Sequence, residues 1–388
     1  MRCSTLTALT VLLAPAISFC QDIQWLQYRA SPHAPDILGG SEAYRQVSTN
    51  KPENLELPEF KTDKPAFVRW ESPMAQGGGL WIALDRQSEK SLKKYDSVWI
   101  DSHGDGSLKN DKPVTAWASH EYYTYIGPVP VVFKGDDGPV TYHLNFQLYH
   151  YDDNILLSIN YGCWYEGMIK VDGRDMKCVL IDQNVNGRFN DVSANASGCD
   201  RIRIGAETDK AHDTRYVGRY LEVGDKLYSL EVAPDGASVS ITPARDVKYG
   251  TVKVAADIAA VLFGGENGQF TPRPDNGTIR LPVGRYVLQE WRVERKDDKG
   301  NRWALIGRGS TSVTVAEETP VSLDLGEPVF ADLTVQQRDA DWLFNQRMKG
   351  KNGEQITITR NGATADAPKV HIRSSNGAYD KSLALEYG

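Results

Sequence analysis

Apolar and polar residues alternate over many short stretches of this chain, a period that is typical of β-strands with one buried face. The clearest stretch is 141–151 (TYHLNFQLYHY), in which every second residue from Tyr142 to Leu148 is apolar. A turn-forming segment at 152–154 and a second apolar run at 155–161 follow it. Because two such runs around a short polar turn favour antiparallel pairing, the pattern predicts a β-hairpin.

Strand signals of the same kind recur along the chain. Residues 167–171 and 176–181 flank an Asp-Gly turn, and residues 227–232 and 238–242 flank a Pro-Asp-Gly turn. A helical apolar period of useful length is hard to find after the first twenty residues. The sequence therefore predicts an all-β, multidomain β-sandwich protein.

Changes in composition divide the chain into parts. The segment before Pro65 is rich in Pro, Glu and Lys without sustained periodicity, whereas strand patterns begin after it and reset near Pro243. The last part either forms a terminal sandwich or completes the preceding one. The predicted parts are a signal peptide (1–20), an arm or linker (21–65), a β domain with two acidic loops (66–243), a β-sandwich module (250–326) and a short C-terminal β module (327–388).

The N-terminus has the pattern of a secretory signal peptide, with Arg2 before an apolar run at 6–19 and charged, soluble sequence from Gln21. Cleavage after Cys20 would release a chain exported to the periplasm or the extracellular space. No later apolar run approaches a membrane span in length, so none is expected. The formal net charge of −7 disfavours nucleic acid as a partner, because nucleic acid rewards clustered Lys and Arg.

Two stretches, 98–111 and 179–191, read almost the same. In each, an apolar strand runs into a loop that begins with Asp at place 1, carries Asp or Asn at place 5 and Gly at place 6, and has an apolar residue at place 8. The strand-rich segments 79–83 and 167–171 precede the two stretches. This similarity predicts two related units, each a hairpin followed by an acidic loop.

Both loops are rich in the side-chain oxygens that a hard cation such as Ca²⁺ prefers, and glycine at place 6 permits the sharp turn that such loops need. His103 takes place 3 of the first loop, and a neutral imidazole is a poor Ca²⁺ ligand. The predicted ligands are Asp101, Asp105, the carbonyl of Ser107 and Asp111 in the first loop, and Asp182, Asn184, Asn186, the carbonyl of Arg188 and Asp191 in the second.

These loops are not EF-hands, because place 12 is Lys112 in one and Ser193 in the other and strands lead into both. With two or three carboxylates per loop, we expect weak Ca²⁺ binding, with a dissociation constant on the order of 0.1 to 1 mM. The alternative is that both are plain turns. Asp and Asn fold back on their own backbone, and Asn-Gly and Asp-Gly are common hairpin turns, so either loop could hold its shape without metal.

Three cysteines follow the signal peptide, namely Cys163, Cys178 and Cys199. Cys163 and Cys178 lie on either side of a turn, so a cross-strand disulfide between them is one possibility in an exported chain. Buried free thiols that act as small apolar residues are the other.

No catalytic motif is present, and no catalytic residue is assigned. Asp152 and Asp153 lie at a turn, where neighbouring acids are usually just solvated. His143 and His150 fall on opposite faces of one strand by parity, so they cannot jointly hold a metal. Tyr and Trp cluster at 122–125, 149–151 and 161–165, where they either fill a β-core or form a strip that stacks on sugars.

The stretch Leu281-Pro282-Val283-Gly284-Arg285-Tyr286 resembles the turn and strand of prealbumin-like or carboxypeptidase-regulatory-like sandwich modules. With the two loops and the signal peptide, it makes the chain resemble uncharacterised exported bacterial β-proteins that combine repeated D-x-x-x-[DN]-G loops with such modules. This resemblance brings no catalytic residue with it.

The first hypothesis for function is an exported, Ca²⁺-stabilised β-scaffold or ligand-binding protein without catalysis. The second is a carbohydrate-binding protein or an accessory part of a polysaccharide-processing system, and the third is a hydrolase of unrecognised type. The partner would accordingly be a polysaccharide or another surface protein.

Overall fold

The structure, a computed structural model, is built almost wholly from β-strands. Strands make up 58% of it and helix 2%, so the predicted all-β class is confirmed. The predicted signal peptide, 1–20, lies outside the described residues. The structure describes residues 22–40, 43–87, 94–135, 138–151, 154–206 and 213–386.

The described part of the first body holds β1 to β17, the short α-helix α1 and a 3-10 helix (Ala196–Gly198). Its elements are β1 (Ile23–Trp25), β2 (Gln27–Ala30), α1 (Ala34–Leu38), β3 (Ala43–Gln46), β4 (Ala66–Glu71), β5 (Gly79–Asp85), β6 (Ser97–Ile100), β7 (Val114–Ser119), β8 (Tyr123–Gly135), β9 (Gly138–Tyr151), β10 (Asn154–Tyr161), β11 (Cys163–Val171), β12 (Arg174–Ile181), β13 (Arg201–Gly205), β14 (Asp213–Tyr216), β15 (Tyr220–Val223), β16 (Lys226–Val232) and β17 (Ser238–Pro243).

These strands form three antiparallel sheets. Their orders are β3-β10-β9-β8-β7-β6-β5-β4, β14-β13-β12-β11-β2 and β1-β17-β16-β15. Side chains from all three sheets meet in one apolar core that runs from Leu26 to Ile241. A smaller cluster lies beneath the first acidic loop, made of Leu55, Phe67, Ala83, Trp99 and Leu108.

The β9–β10 hairpin shows the predicted alternation. Tyr142, Leu144, Phe146 and Leu148 are all buried in the core of the first body. The intervening residues form the other face of the sheet, as period two requires. The sheet therefore has one apolar face inside the body and one face with polar and aromatic residues.

The segment before Pro65, expected as an arm or linker, contributes strands to all three sheets. β1 pairs with β17, β2 with β11 and β3 with β10. Farther along, Glu56 forms a parallel bridge with Ser107 in the first acidic loop. These pairings place the segment along the sheet edges and across the loop.

The second body has its own core, which runs from Val252 to Ile356 around the fully buried Trp291. Its strands are β18 (Tyr249–Lys253), β19 (Ile258–Gly265), β20 (Gly268–Phe270), β21 (Thr278–Pro282), β22 (Gly284–Lys296), β23 (Arg302–Val315), β24 (Val321–Ser322), β25 (Val329–Arg338), β26 (Asp341–Gly350), β27 (Gln355–Arg360) and β28 (Ala363–Thr364). After them, β29 (Lys369–Arg373) and β30 (Asp380–Ala384) pair with each other in a separate two-stranded sheet.

One large sheet of the second body, β20-β19-β22-β23-β27-β26-β25, includes strands from both parts that were predicted after residue 250. β27 pairs along β23, so residues after 327 extend the same sheet. The LPVGRY stretch forms the turn from β21 to β22. There the buried Tyr286 hydroxyl donates to the carbonyl of Pro282 at 2.7 Å, which fixes the corner.

The three cysteines are buried free thiols. Cys178 lies opposite Gly167 and Cys163 lies opposite Ala30, so the predicted cross-strand pair is not formed. The alternative, that these residues act as small apolar side chains, is what the structure has. Burial raises the pKa of both the Cys163 and the Cys178 thiol to about 12, which leaves them protonated.

We predict that Phe146→Ala lowers the free energy of unfolding by about 3 to 5 kcal/mol, because it removes a buried ring and leaves a cavity. Thr141→Ala, at an exposed position of the same strand, should change it by no more than about 0.5 kcal/mol. Urea unfolding of both variants checks this. Equal costs would show that β9 does not have the buried and open faces described here.

Candidate metal loops

The two acidic loops occupy equivalent places in two three-stranded meanders. The first loop, residues 101–111, connects β6 to β7, and the second loop, residues 182–191, connects β12 to β13. β6 pairs with both β5 and β7, and β12 pairs with both β11 and β13. Each unit is thus a hairpin, a loop and a returning strand.

The first loop is organised around the carboxylate of Asp101, which is almost fully buried. Its Oδ1 accepts from the Asp105 amide at 3.1 Å and its Oδ2 from the Gly106 amide at 3.0 Å. One step farther, the Ser107 amide donates to Asp105 Oδ1 at 2.9 Å. The side chains at places 1 and 5 therefore hold the backbone of places 5 to 7.

The second loop repeats this arrangement place by place. Asp182 Oδ1 accepts from the Asn186 amide at 3.2 Å and Oδ2 from the Gly187 amide at 2.7 Å. The Arg188 amide donates to Asn186 Oδ1 at 2.9 Å. Asp182 Oδ2 also accepts from the Tyr142 hydroxyl at 2.8 Å, which ties the second loop to β9.

The backbone turns of the two loops also match. Places 4 and 6 have positive φ in both, at 65° and 78° for Gly104 and Gly106 and at 55° and 92° for Val185 and Gly187. A β-branched residue in this region is strained by roughly 1 to 2 kcal/mol. Val185 is held there by burial and by Trp70, whose indole donates to the Val185 carbonyl at 2.7 Å.

The apolar residue at place 8 anchors each loop to the interior. Leu108 is fully buried in the small cluster beneath the first loop. Phe189 is buried in the main core, with its ring edge-on to Tyr165 at 5.2 Å between centroids. A plain two-residue turn needs no such anchor. The burial of this side chain therefore accounts for the apolar residue that both loops share at place 8.

Asp111 closes the first loop with a side chain that is only 5% exposed. Its Oδ1 accepts from the Ser102 hydroxyl and lies 3.5 Å from the exposed His103 ring. Its Oδ2 is buried and accepts no hydrogen bond from the residues that the structure describes. The loop thus carries a buried carboxylate oxygen with unused acceptor capacity.

Asp191 closes the second loop. Its Oδ2 accepts from the side-chain amides of Asn184 at 3.0 Å and Asn186 at 2.6 Å. This leaves Asn184 Oδ1 buried and, within the described part of the chain, without a donor. The guanidinium of Arg188 lies 4.0 Å from Asp191 Oδ1.

Asp200, at the start of the returning strand, belongs to the second loop and was not among the predicted residues. It is fully buried and accepts from the amides of Gln183 at 3.1 Å and Asp191 at 2.7 Å. It lies outside the repeated pattern. The only signal for it in the sequence is an acid directly before the strand Arg201–Gly205.

Burial raises the pKa values of three of these acids. Burial raises the pKa of Asp182 to about 7, although the donated hydrogen bonds lower it. Burial and the charge of Asp182 hold the pKa of Asp200 well above its usual range. Burial also raises the pKa of Asp101. Negative charge is therefore costly at place 1 of both loops.

Side chains alone do not form a metal cage here. Among the described residues, no three His, Cys, Asp or Glu side chains form a group that could hold a metal ion. An ion in either loop would need amide or hydroxyl oxygens and backbone carbonyls as well, as the predicted ligands include.

The aromatic clusters divide between the core and the surface. Tyr161, Trp164 and Tyr165 are buried in the first body, whereas Tyr122 and Tyr123 are exposed. The side chain of Tyr151 and residues 152 and 153 lie outside the described part.

His143 and His150 have separate surroundings, as strand parity predicted. His143 Nδ1 is 2.6 Å from the Tyr28 hydroxyl, and His150 Nε2 is 3.1 Å from Thr124 Oγ1. Burial lowers the pKa of both rings.

Comparison with known proteins gives no match to a family model, to a curated protein or to a solved structure. No helix within the described ranges is long and apolar enough to cross a membrane.

We predict that Asp182 makes the metal-free protein less stable as the pH rises. Its pKa is about 7 in the folded state and about 3.9 in the unfolded chain, so the folded state holds the proton between these values. The stabilisation is complete below about pH 4 and is lost as the pH rises through about 7, at up to roughly 1.4 kcal/mol per unit. Urea unfolding in EDTA from pH 5 to 8 measures it.

Asp182→Asn is the control, because the amide does not titrate. The stability of the wild type relative to this variant should fall over that pH range. A relative stability that rises with pH would show that Asp182 is ionised at neutral pH in the metal-free protein.

Proposed function

We propose that both loops bind Ca²⁺ and that the protein is an exported β-scaffold or ligand-binding protein stabilised by these ions. The observation that carries the proposal is the shared architecture of the loops. Each has a buried Asp at place 1 that accepts from the amides of places 5 and 6, and each has a buried side-chain oxygen without a donor among the described residues.

The chemistry of both loops suits a hard cation. Their candidate ligands are carboxylate, amide and carbonyl oxygens, which Ca²⁺ prefers over nitrogen or sulfur. A carboxylate oxygen has room for two partners, so Asp101 Oδ1 and Asp182 Oδ1, with one amide donor each, can still bind an ion. The side chain at place 3 differs, because His103 is exposed and next to Asp111.

The unpaired oxygens distinguish this proposal from plain turns. A turn requires the place 1 carboxylate and the backbone amides that donate hydrogen bonds to it, and both loops satisfy this requirement by themselves. It does not require a further acid at place 10 or 11, such as Asp191 or the buried Asp111. A buried oxygen without a partner costs about 1 to 3 kcal/mol, and a cation that binds Asp111 Oδ2 or Asn184 Oδ1 would remove that cost.

An ion would stabilise more than the loop that holds it. The second loop accepts hydrogen bonds from Trp70 and Ser72 at the β4–β5 hairpin. The first loop pairs with Glu56, whose amide donates to the Gly106 carbonyl at 2.9 Å. Ion binding would therefore reinforce contacts between segments far apart in sequence, which is the role of a structural ion.

Export fits the expected affinity. Sites with dissociation constants on the order of 0.1 to 1 mM are typical of extracellular modules. The signal-peptide pattern at 1–20 supports the same compartment.

We predict that Ca²⁺ raises the melting temperature of the mature chain relative to EDTA. Binding only to the folded state contributes RT ln(1 + [L]/Kd), so ~10 mM Ca²⁺ over a site of ~0.1 mM adds about 2.7 kcal/mol. Asp111→Asn and Asp191→Asn each remove one negative charge from a loop with only two or three carboxylates, so each should weaken its own site in calorimetric titration and remove up to about half of the gain. Both replacements keep the shape of the side chain, and an amide oxygen can still accept the existing hydrogen bonds.

Asp297→Asn is the matched control. Asp297 also organises a turn, where it accepts from the amides of Lys299 and Asn301, but it lies outside both loops. The loss of melting temperature that Asp297→Asn causes should be the same in EDTA and in Ca²⁺. If Ca²⁺ has no effect on the wild type, or raises the melting temperature of all three variants equally, the loops are plain turns that do not bind the ion. Asp101→Ala and Asp182→Ala remove the central carboxylates and should abolish the response of their loops.

A further inference from the structure

The outer face of the eight-stranded sheet carries a groove that the acidic loops do not use. The segment 32–40, which contains α1, lies beside β7 to β10 on this face. Between the segment and the strands lies a groove of about 450 Å³, lined by residues such as His33, Trp117, Tyr125, Asn145, Gln147 and Asn160. Small-molecule sites commonly have volumes of roughly 300 to 1,000 Å³.

The floor of the groove is formed by two amide side chains on neighbouring strands. Asn145 on β9 lies directly opposite Asn160 on β10. The Asn145 amide donates to the carbonyls of Ser31 and Pro32 at 2.9 and 3.2 Å, which positions the covering segment. Asn145 is thus a positioning residue for the groove.

Asn160 supplies an unused acceptor. The residue is only 5% exposed, and its side-chain amide nitrogen donates to Ser158 Oγ at 3.0 Å. Its Oδ1 is buried and has no donor among the described residues. Because an unpaired buried acceptor is costly, a ligand hydroxyl that donates to it would be favoured.

The wall of the groove is aromatic and accessible. Trp117 is 46% exposed, with His33 edge-on to it at 5.0 Å and Tyr125 at 5.6 Å between centroids. Unlike Trp70 or Trp291, this indole is not part of a core. Its exposed area is available to a ring-shaped ligand.

The aromatic surface extends beyond the groove. Tyr123 stacks with Tyr125 at 6.5 Å and contacts Tyr149 at 4.9 Å, and Tyr149 contacts Tyr44 on β3 at 5.8 Å. With adjacent strands about 4.8 Å apart, the four steps from β7 to β3 span roughly 19 Å. We name Trp117, Tyr125, Tyr123, Tyr149 and Tyr44 the aromatic strip.

The geometry points to a binding site for a neutral polysaccharide chain, with one end of the chain in the groove and the following sugars on the aromatic strip. Sugar rings have C–H faces that stack on indole and phenol rings and hydroxyls that pair with amides. Among the residues that the structure describes, those lining the groove include Asp36 but no Lys or Arg, which disfavours an anionic polymer. The length of the strip favours a chain over a single sugar.

This site is independent of the proposed Ca²⁺ loops, with which it shares no residue. The test is affinity electrophoresis of the mature chain in gels cast with a neutral glucan, a xylan, a galactomannan or the anionic polygalacturonate. We expect retardation by at least one neutral polysaccharide. Trp117→Ala and Tyr123→Ala should each weaken it at least about tenfold, as the loss of a stacked aromatic anchor does.

Trp342→Ala is the matched control, because this tryptophan is also exposed but lies on β26 in the second body. It should leave the retardation unchanged, as should Asp111→Asn. Asn160→Ala tests the groove itself and should weaken the retardation, because it removes the buried acceptor. Its melting temperature is measured alongside to confirm folding. Absence of retardation in all three neutral gels, retardation by polygalacturonate alone, or full retention by Trp117→Ala would overturn the proposal.

Discussion

The buried carboxylate of Asp182 is the constraint around which the first body of this protein is arranged. It lies at the end of β12, has no exposed surface, and accepts hydrogen bonds from Tyr142, Asn186 and Gly187. A charge in such a position must be compensated or neutralised, because its desolvation costs several kcal/mol. The donated hydrogen bonds compensate in part, and protonation or a cation can supply the rest. The strained backbone of Val185, the indole of Trp70 and the buried ring of Phe189 all follow from building a tight loop over this group.

Sequence pattern predicted the class of fold and the internal organisation of the loops, because both depend on local rules. Period-two alternation decides which side of β9 is buried. The order of Asp at place 1, Asp or Asn at place 5 and Gly at place 6 decides which backbone amides donate hydrogen bonds to the place 1 carboxylate. Asp200 could not be found in the same way. It reaches the second loop only because β13 returns alongside β12, and that register depends on the whole sheet. The role of Trp70, 115 residues from Val185 in the chain, is equally non-local.

The aromatic residues show where sequence reasoning reaches its limit. Tyr123 and Tyr161 both lie in strand patterns, and composition cannot tell a core position from a surface position. Their places depend on which face of each strand the neighbouring sheets cover, and on the segment 32–40, which covers only part of the outer face. That segment was expected as part of a linker because it lacks periodicity. Its position depends on hydrogen bonds from Asn145 to backbone carbonyls and on the burial of Ala34 and Leu38 in the main core, which no periodicity reports.

The N-terminal segment links the two proposed sites without merging them. Ser31 and Pro32 are held on the outer face of the sheet by Asn145, whereas Glu56 pairs with the first loop. Between these points, β3 adds an edge strand to the same sheet. An ion in the first loop would therefore stabilise one end of a segment whose other end covers the groove. The sheet between these two points is packed on a continuous core, so the groove keeps its shape whether or not an ion occupies the loop. In the two proposals, Ca²⁺ would stabilise the loops, whereas the aromatic strip would determine what the protein binds.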